Sequence, residues 1–235
     1  TMSEMVERAK DMCAAVSVPV ICDGDTGFGN VVNLVRTVRE YERAGAAAIQ
    51  LEDQTMPKKC GHMPGRQVVD AEEMVNKIRA AAAARQDPDF LIIARTDART
   101  NHGVEEAIRR AKLYEQAGAD IIFVESLESV EEMRMVNETI AKPTIANMVE
   151  TGRTPLLAAA QLQEIGYDMV VFPISTLFVA AKAVYDMLMD LRANGTTRNC
   201  LDEMMSFSQF NDFIGLPLVR ELEENRFDSV AKKLR

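Results

Sequence analysis

Long hydrophobic runs are missing from this sequence, and no apolar stretch reaches the roughly 18 residues that a membrane-crossing helix needs. The opening residues, TMSEMVERAK, lack the basic-then-apolar layout of a secretory leader, so a cytoplasmic location is expected. Cysteine is scarce and irregularly spaced. Cys13, Cys22, Cys60 and Cys200 include no CxxC pair, which argues for reduced thiols and against a zinc site or a disulfide framework. Positive charge is in deficit: 27 Lys and Arg face 36 Asp and Glu, for a formal net charge of −9. Such a chain repels nucleic acid and anionic membranes, and no basic cluster or aromatic platform offsets that repulsion. A protein of this charge that handles an anion must create positive potential locally, from a metal ion or a few placed basic side chains.

What is present is a regular alternation. The 235 residues are 47% hydrophobic and 27% charged, the balance of a globular chain long enough for one large core. Short β-branched runs at 18–22, 47–51, 90–94, 121–124, 143–146 and 169–172 alternate with helically spaced stretches at 2–16, 31–44, 71–84, 104–117, 130–140 and 155–165. Near-continuous apolar strands separated by helices predict parallel strands covered by helices. The segments ERAGAAAIQLED, EQAGADIIFVES and LQEIGYDMVVFP echo one another as helix end, glycine, buried strand and polar residue, with Gly45, Gly118 and Gly166 as helix C-caps. The expected fold is α/β, with a doubly wound open sheet as the alternative; against that alternative, no GxGxxG or Walker-type loop follows the first strand. Beyond Phe172 the pattern is helical, at 177–193, 201–214 and 217–234, and residues 176–235 are expected to form a helical tail used for oligomerisation, attached to a single barrel domain.

The polar information sits where strands end. Asp23, Asp25, Glu52, Asp53, Arg95, Asp97, Glu125 and Asn147 stand at or just past the carboxyl ends of predicted strands, the face that hosts active sites in parallel barrels. Helix caps would explain one or two such acids, but not acids at successive strand ends with an arginine at the next. In CDGDTGFGN, residues 22–30, two aspartates on a tight turn offer oxygen ligands of the kind Mg²⁺ takes, and Glu52 adds a third from the neighbouring strand. The loop PKKCGHMPGR, residues 57–66, places Lys58, Lys59, His62 and Arg66 around Cys60, and nearby cations favour a thiolate. Its glycines and Pro64 suit a mobile lid, the plainer reading being a solvated basic loop with an incidental thiol. Cys13 and Cys22 read as small core residues, His102 as exposed, and Arg153 as equally a substrate contact or a surface ion pair.

Taken together, KKCGH, DGDTGFGN, IQLEDQ and IIARTDAR resemble the isocitrate lyase / phosphoenolpyruvate mutase superfamily, and within it the methylisocitrate lyase and 2,3-dimethylmalate lyase branch, which includes sequences named carboxyvinyl-carboxyphosphonate phosphorylmutase. The likeness continues through ANMVETGRTPLL and VVFPIS to SFSQFNDFIGLP. It implies a (β/α)8 TIM-type barrel, here lacking its first two strands, with a C-terminal helical extension. It also implies Mg²⁺, or alternatively Mn²⁺, held by Asp23, Asp25 and Glu52, with Cys60 as the acid/base thiol on a gating loop supported by Lys58, Gly61 and His62. Arg95 would bind the 2-oxo acid oxygens, Glu125 would act as an acid/base or orienting group, Asn147 would hold a substrate carboxylate, and Pro173 and Ser175 would line the rim. The implied activity is cleavage of a 2-hydroxy di- or tricarboxylate to pyruvate plus a carboxylate, in a homotetramer that exchanges a C-terminal helix. The alternatives are a phosphoenolpyruvate or carboxyphosphonoenolpyruvate mutase, an oxaloacetate decarboxylase, and an inactive truncated fragment.

Overall fold

A computed structural model describes residues 1–224 of the chain. The chain divides into two compact units, Thr1–Ser175 and the residues from Thr176 onward. The first unit runs α1 (Met2–Ala15), β1 (Ile21–Asp23), α2 (Val31–Arg43), β2 (Ala48–Glu52), α3 (Ala71–Ala84), β3 (Leu91–Thr96), α4 (Arg99–Ala117), β4 (Ile121–Val124), α5 (Val130–Thr139), β5 (Ile145–Asn147), α6 (Ala159–Ile165) and β6 (Met169–Val171). Local chemistry sets these limits. Asn30 accepts from the Val32 amide at 3.0 Å to start α2, and Ser129 accepts from the Glu132 amide at 3.1 Å to start α5. Gly118 and Gly166 close α4 and α6 as left-handed caps, as expected from sequence.

All strand pairs are parallel and join neighbours in chain order: β1 to β4 form one ladder, β5 and β6 another, and an Ile122–Thr144 bridge links the two. Alternate strand residues then face opposite sides. Ile49, Leu51, Ile92, Ala94, Ile122, Val124 and Ala146 pack with the apolar stripes of the helices, such as Leu34, Val38 and Tyr41 of α2. Ala48, Ile93, Ile121, Phe123 and Ile145 form a separate buried cluster that includes no helix residue among the described residues. A doubly wound sheet would reverse its strand order and carry helices on both faces. Neither occurs among the described residues, and the architecture is the barrel type, with helices outside and strand side chains within.

Several expected boundaries shift. The first strand begins at Ile21 rather than at position 18, because Pro19 has no amide to donate; pairing starts only with the Val20 carbonyl, which accepts from Ala47 at 2.9 Å. The fourth helix begins earlier, at Arg99, and is interrupted where Gly103 adopts φ +85°. The sixth is shorter, because Ala158 is still extended. In the second unit, α7 (Ser175–Asn194) forms as expected, but the single helix predicted over 201–214 does not. A 3-10 turn (Arg198–Glu203) is followed by α8 (Phe207–Phe213), which the reciprocal capping of Ser206 and Gln209 starts afresh. The last helix, α9, spans Leu216–Glu223 with Glu224 as its C-cap, and residues 225–234 of its predicted range lie outside the described residues. No described helix is long and apolar enough to cross a membrane.

Candidate active site

The carboxyl ends of β1, β2, β3 and β4 bring their polar residues to one rim. Asp23 closes β1, and its Oδ1 accepts from the Asp25 amide at 2.8 Å, folding the DGD turn back on itself. Asp25, at φ +49°, is pinned to the next strand because its carbonyl accepts from the Glu52 amide at 2.9 Å. Glu52 and Arg95 are register partners on β2 and β3, and Arg95 Nη1 lies 3.5 Å from Glu52 Oε2.

Lys58 reaches into this rim from the loop that follows β2. Its Nζ stands 2.6 Å from Asp25 Oδ1, 3.3 Å from Asp23 Oδ2 and 3.7 Å from Glu52 Oε1. Burial alone would lower the Lys58 ammonium, but Asp23, Asp25 and Glu52 outweigh it and hold the group above the ordinary lysine range. Glu52 is fully buried, and neither of its oxygens has a hydrogen-bond partner. Burial pushes its carboxyl up to about 7, against the pull of Arg95 and Lys58. Three carboxylates therefore converge on a point where a positive charge stands, and one of them lacks the hydrogen bonds a buried acid requires. The donor set suits a hard divalent cation that would replace the ammonium. Among the described residues no three His, Cys, Asp or Glu side chains are spaced to hold an ion as they stand, and a cation here would also take water or substrate oxygens.

Arg95 is held on all sides by acids. Its Nε and Nη2 donate to Asp97 at 2.9 and 3.0 Å, its Nη2 lies 3.4 Å from Glu125 Oε2, and its guanidinium carbon sits 5.2 Å from the centre of the Phe123 ring. Burial opposes its charge, yet Glu125, Asp97 and Glu52 raise its pKa above the usual arginine value. Glu125 is buried as well. Its Oε1 accepts from the Ser126 amide at 2.6 Å, and its Oε2 accepts from Asn147 Nδ2 at 3.0 Å. His62 Nε2 lies 3.5 Å from Glu125 Oε1, while His62 Nδ1 accepts from the Arg153 amide at 3.1 Å. Burial lowers the His62 pKa, against the attraction of Glu125. Asn147 Oδ1 and His62 Nε2 are buried without a hydrogen-bond partner, leaving two polar atoms unsatisfied at the rim.

The loop carrying Lys58, Cys60, Gly61 and His62 is closed at its root, where Gln54 and Val68 form an antiparallel bridge and the Gln54 amide group clamps Lys59. Cys60 is exposed, and its neighbour Gly61 is buried against the site. The basic residues that the sequence places around the thiol are directed elsewhere. Lys58 faces the acids, Lys59 Nζ donates to the Gly65 carbonyl at 3.0 Å, and Arg66 is buried on Asp97 at 2.6 Å. A Cβ at Gly61 would stand 2.7 Å from both Arg95 Nη2 and Glu125 Cδ. Gly61→Ala is therefore expected to lift the loop from the rim and lower kcat/KM by about 100-fold, with a far smaller change in melting temperature. Steady-state kinetics beside a thermal melt would check this, and a variant of unchanged kcat/KM would contradict the close approach.

Of the residues singled out from sequence, Asp23, Asp25, Glu52, Lys58, Gly61, His62, Arg95, Glu125 and Asn147 meet at this rim. Pro173 is exposed beyond β6, and Ser175 donates to Glu150 rather than to the cluster. Arg153 forms an ion pair with Glu128 at 3.2 Å, His102 is exposed, Cys13 is half-buried and Cys22 is buried. Ser126 is a functional residue that the sequence reading missed: its hydroxyl donates to the Gly61 carbonyl at 2.6 Å and ties loop to strand end. Only its place after a strand-end glutamate hinted at a role.

The family model for phosphoenolpyruvate phosphomutase matches residues 1–192. The 2,3-dimethylmalate lyase of Eubacterium barkeri is 57% identical over 225 residues, covering 96% of this chain and 78% of that protein. The 2-methylisocitrate lyase of Aeropyrum pernix is 49% identical over 215 residues, covering 92% of this chain and 69% of that one. Among solved structures, a 2,3-dimethylmalate lyase of the PEP mutase/isocitrate lyase superfamily superposes with a TM-score of 0.87 at 36% identity, covering 96% of this chain and 76% of that one. A phosphonopyruvate hydrolase in complex with oxalate and Mg²⁺ superposes with a TM-score of 0.81 at 33% identity, covering 95% and 78%.

Proposed function

We propose that this chain, which belongs to the phosphoenolpyruvate phosphomutase family, is a Mg²⁺-dependent carbon–carbon lyase that cleaves a 2-hydroxy di- or tricarboxylate of the 2,3-dimethylmalate or 2-methylisocitrate type to pyruvate and a carboxylate. The observation that carries this reading is the convergence of Asp23, Asp25 and Glu52 on one cation position beside Arg95. A bound Mg²⁺ supplies Lewis acidity, favouring the ionised hydroxyl and the carbonyl that replaces it. Arg95, aimed by Asp97, pairs with the carboxylate and carbonyl oxygens that become pyruvate. Asn147 spends one amide hydrogen on Glu125 and keeps the other for a substrate carboxylate. Glu125 already accepts on both oxygens, so it orients Arg95, His62 and Asn147.

The hydroxyl gives its proton to solvent before the loop closes, and as the bond breaks its oxygen becomes the carbonyl oxygen of pyruvate. The electron pair moves to the carbon beside the departing carboxylate, the Cys60 thiol protonates that carbon, and the thiolate left behind regains a proton from solvent once the loop lifts, so the protons balance. Gly61, seated on Arg95 and Glu125, would bring the neighbouring thiol to the rim and exclude water while the loop is down. The second unit would supply a homotetramer contact, a reading supported by the exposed Leu177, Phe178, Tyr185 and Leu188 on α7. A lactate dehydrogenase-coupled assay on both hydroxy acids tests the activity. Pyruvate is expected with Mg²⁺ and none after chelation, and phosphorus NMR showing isomerisation of phosphoenolpyruvate without hydroxy-acid cleavage would overturn the lyase reading.

A further inference from the structure

Arg66 lies at the root of the 54–68 loop and is almost fully buried at 2% exposure, which is costly for a cation unless the fold uses it. Its Nη1 lies 2.6 Å from Asp97 Oδ1, the oxygen that also accepts from Arg95 Nη2 at 3.0 Å. Its Nη2 donates to Thr100, and its carbonyl accepts from Asn101, so both ends of the residue are fixed to the start of α4. Asp97 is pinned in turn, because its amide donates to Asp53 Oδ1 at 2.9 Å. Asp53 is itself buried and accepts from Thr96 at 2.7 Å, Tyr114 at 2.8 Å and Arg110 at 3.2 Å. One carboxylate thus serves two arginines, one from the loop and one from the rim, and it has no freedom of its own.

We infer that Arg66 is a positioning residue: by sharing Asp97 with Arg95 it fixes the plane in which Arg95 offers its Nη1 to a substrate carboxylate, and it keeps the root of the loop in register with that plane. The loop is held against Arg95 twice, through Asp97 at its root and through Gly61 near its tip. Without Arg66, the Asp97 carboxylate loses the partner that sets its plane, and the Arg95 guanidinium is left to the pull of Glu125 and Glu52 and shifts its aim.

The inference rests on the lyase reading only in treating Arg95 as the carboxylate binder, so its test includes an arm that needs no turnover. In the full chain, Arg66→Gln is expected to raise KM for the hydroxy acid by about 10- to 100-fold with kcat changed far less, the pattern of lost uniform binding. Arg66→Lys, which keeps one donor for Asp97, is expected to recover part of that loss. Calorimetry with oxalate and Mg²⁺ should show the same order of affinities. A wild type that binds oxalate yet cleaves no hydroxy acid overturns the lyase reading, while the oxalate arm still decides the role of Arg66. If either variant melts well below the wild type but binds oxalate with unchanged affinity, Arg66 serves the fold alone and the inference fails. Should Arg66→Gln not fold, Arg66→Lys with unchanged oxalate affinity and KM would overturn it equally.

Discussion

Replacing Cys60 with serine is expected to slow pyruvate release by roughly 10²–10⁴-fold, the usual contribution of a positioned general acid. A serine hydroxyl occupies nearly the same space but is a far weaker acid, so it cannot protonate a carbanion on the timescale of turnover. The residue is exposed, and an exchange of this size at an exposed site normally changes stability by no more than about 0.5 kcal/mol. Asp23, Asp25 and Glu52 belong to β1, the turn after it and β2 rather than to the loop, so Mg²⁺ affinity should be retained. The combination is diagnostic: turnover falls while the melt and the metal titration stay where they were. Turnover at the wild-type rate in the serine variant would remove Cys60 from the chemistry and return the loop to the plainer reading of a basic segment with an incidental thiol.

The second large effect concerns Glu52 and pH. Its carboxyl sits at about 7 in the fold, against 4.5 for an ordinary glutamate, because burial opposes its charge. Below the ordinary value it is protonated in both the folded and the unfolded chain, and it makes no difference to stability. As pH rises from 4.5 to about 7, the unfolded chain ionises first, and the fold loses about 3 kcal/mol by the time Glu52 is itself ionised. A divalent cation binds the ionised form, so its affinity should increase over the same interval and offset the loss. The metal-free protein is expected to melt lower at pH 8 than at pH 5.5, and Mg²⁺ should raise the melting temperature more at pH 8. Glu52→Gln should flatten both dependences. Melts run at the two pH values with and without Mg²⁺ would check this, and a Mg²⁺ effect independent of pH in the wild type would contradict the assignment.

Much of this site was legible before any coordinates. The period of the apolar residues separates strand from helix, and a parallel barrel sends every strand end to one rim, so acids and arginines at strand ends identify their own meeting place. Asp23, Asp25, Glu52, Arg95, Glu125 and Asn147 all follow from that rule. Arg66 does not. In sequence it is one more cation near Cys60, and only the chain path shows it turned inward onto Asp97, about as far from a solvated basic loop as a residue can be. The same holds for Lys58, which sequence groups with the thiol and the fold delivers to the carboxylates. Electrostatics explains the difference: a buried rim of acids attracts whichever cations the loop can reach, and spacing along the chain does not record reach. Asp53 reads as a strand-end acid like its neighbours, but β2 places Glu52 and Asp53 on opposite faces. Glu52 enters the site, while Asp53 enters the packing layer with Tyr114 and Arg110.

Helix capping explains where sequence reading stops in the second unit. A capping box of Ser206 and Gln209 starts a helix in the middle of what reads as one helical stretch, because helical periodicity passes through a 3-10 turn almost unchanged. Distinguishing the two needs the cap to be weighed above the period.

The whole reading turns on the point shared by Asp23, Asp25 and Glu52, now faced by the Lys58 ammonium. Crystals grown with Mn²⁺ and measured at a wavelength where manganese scatters anomalously would locate the ion directly. The expected map has one peak among those three side chains, with Lys58 Nζ withdrawn from them. A peak elsewhere, or a map without one in which Lys58 still holds Asp25, would contradict it.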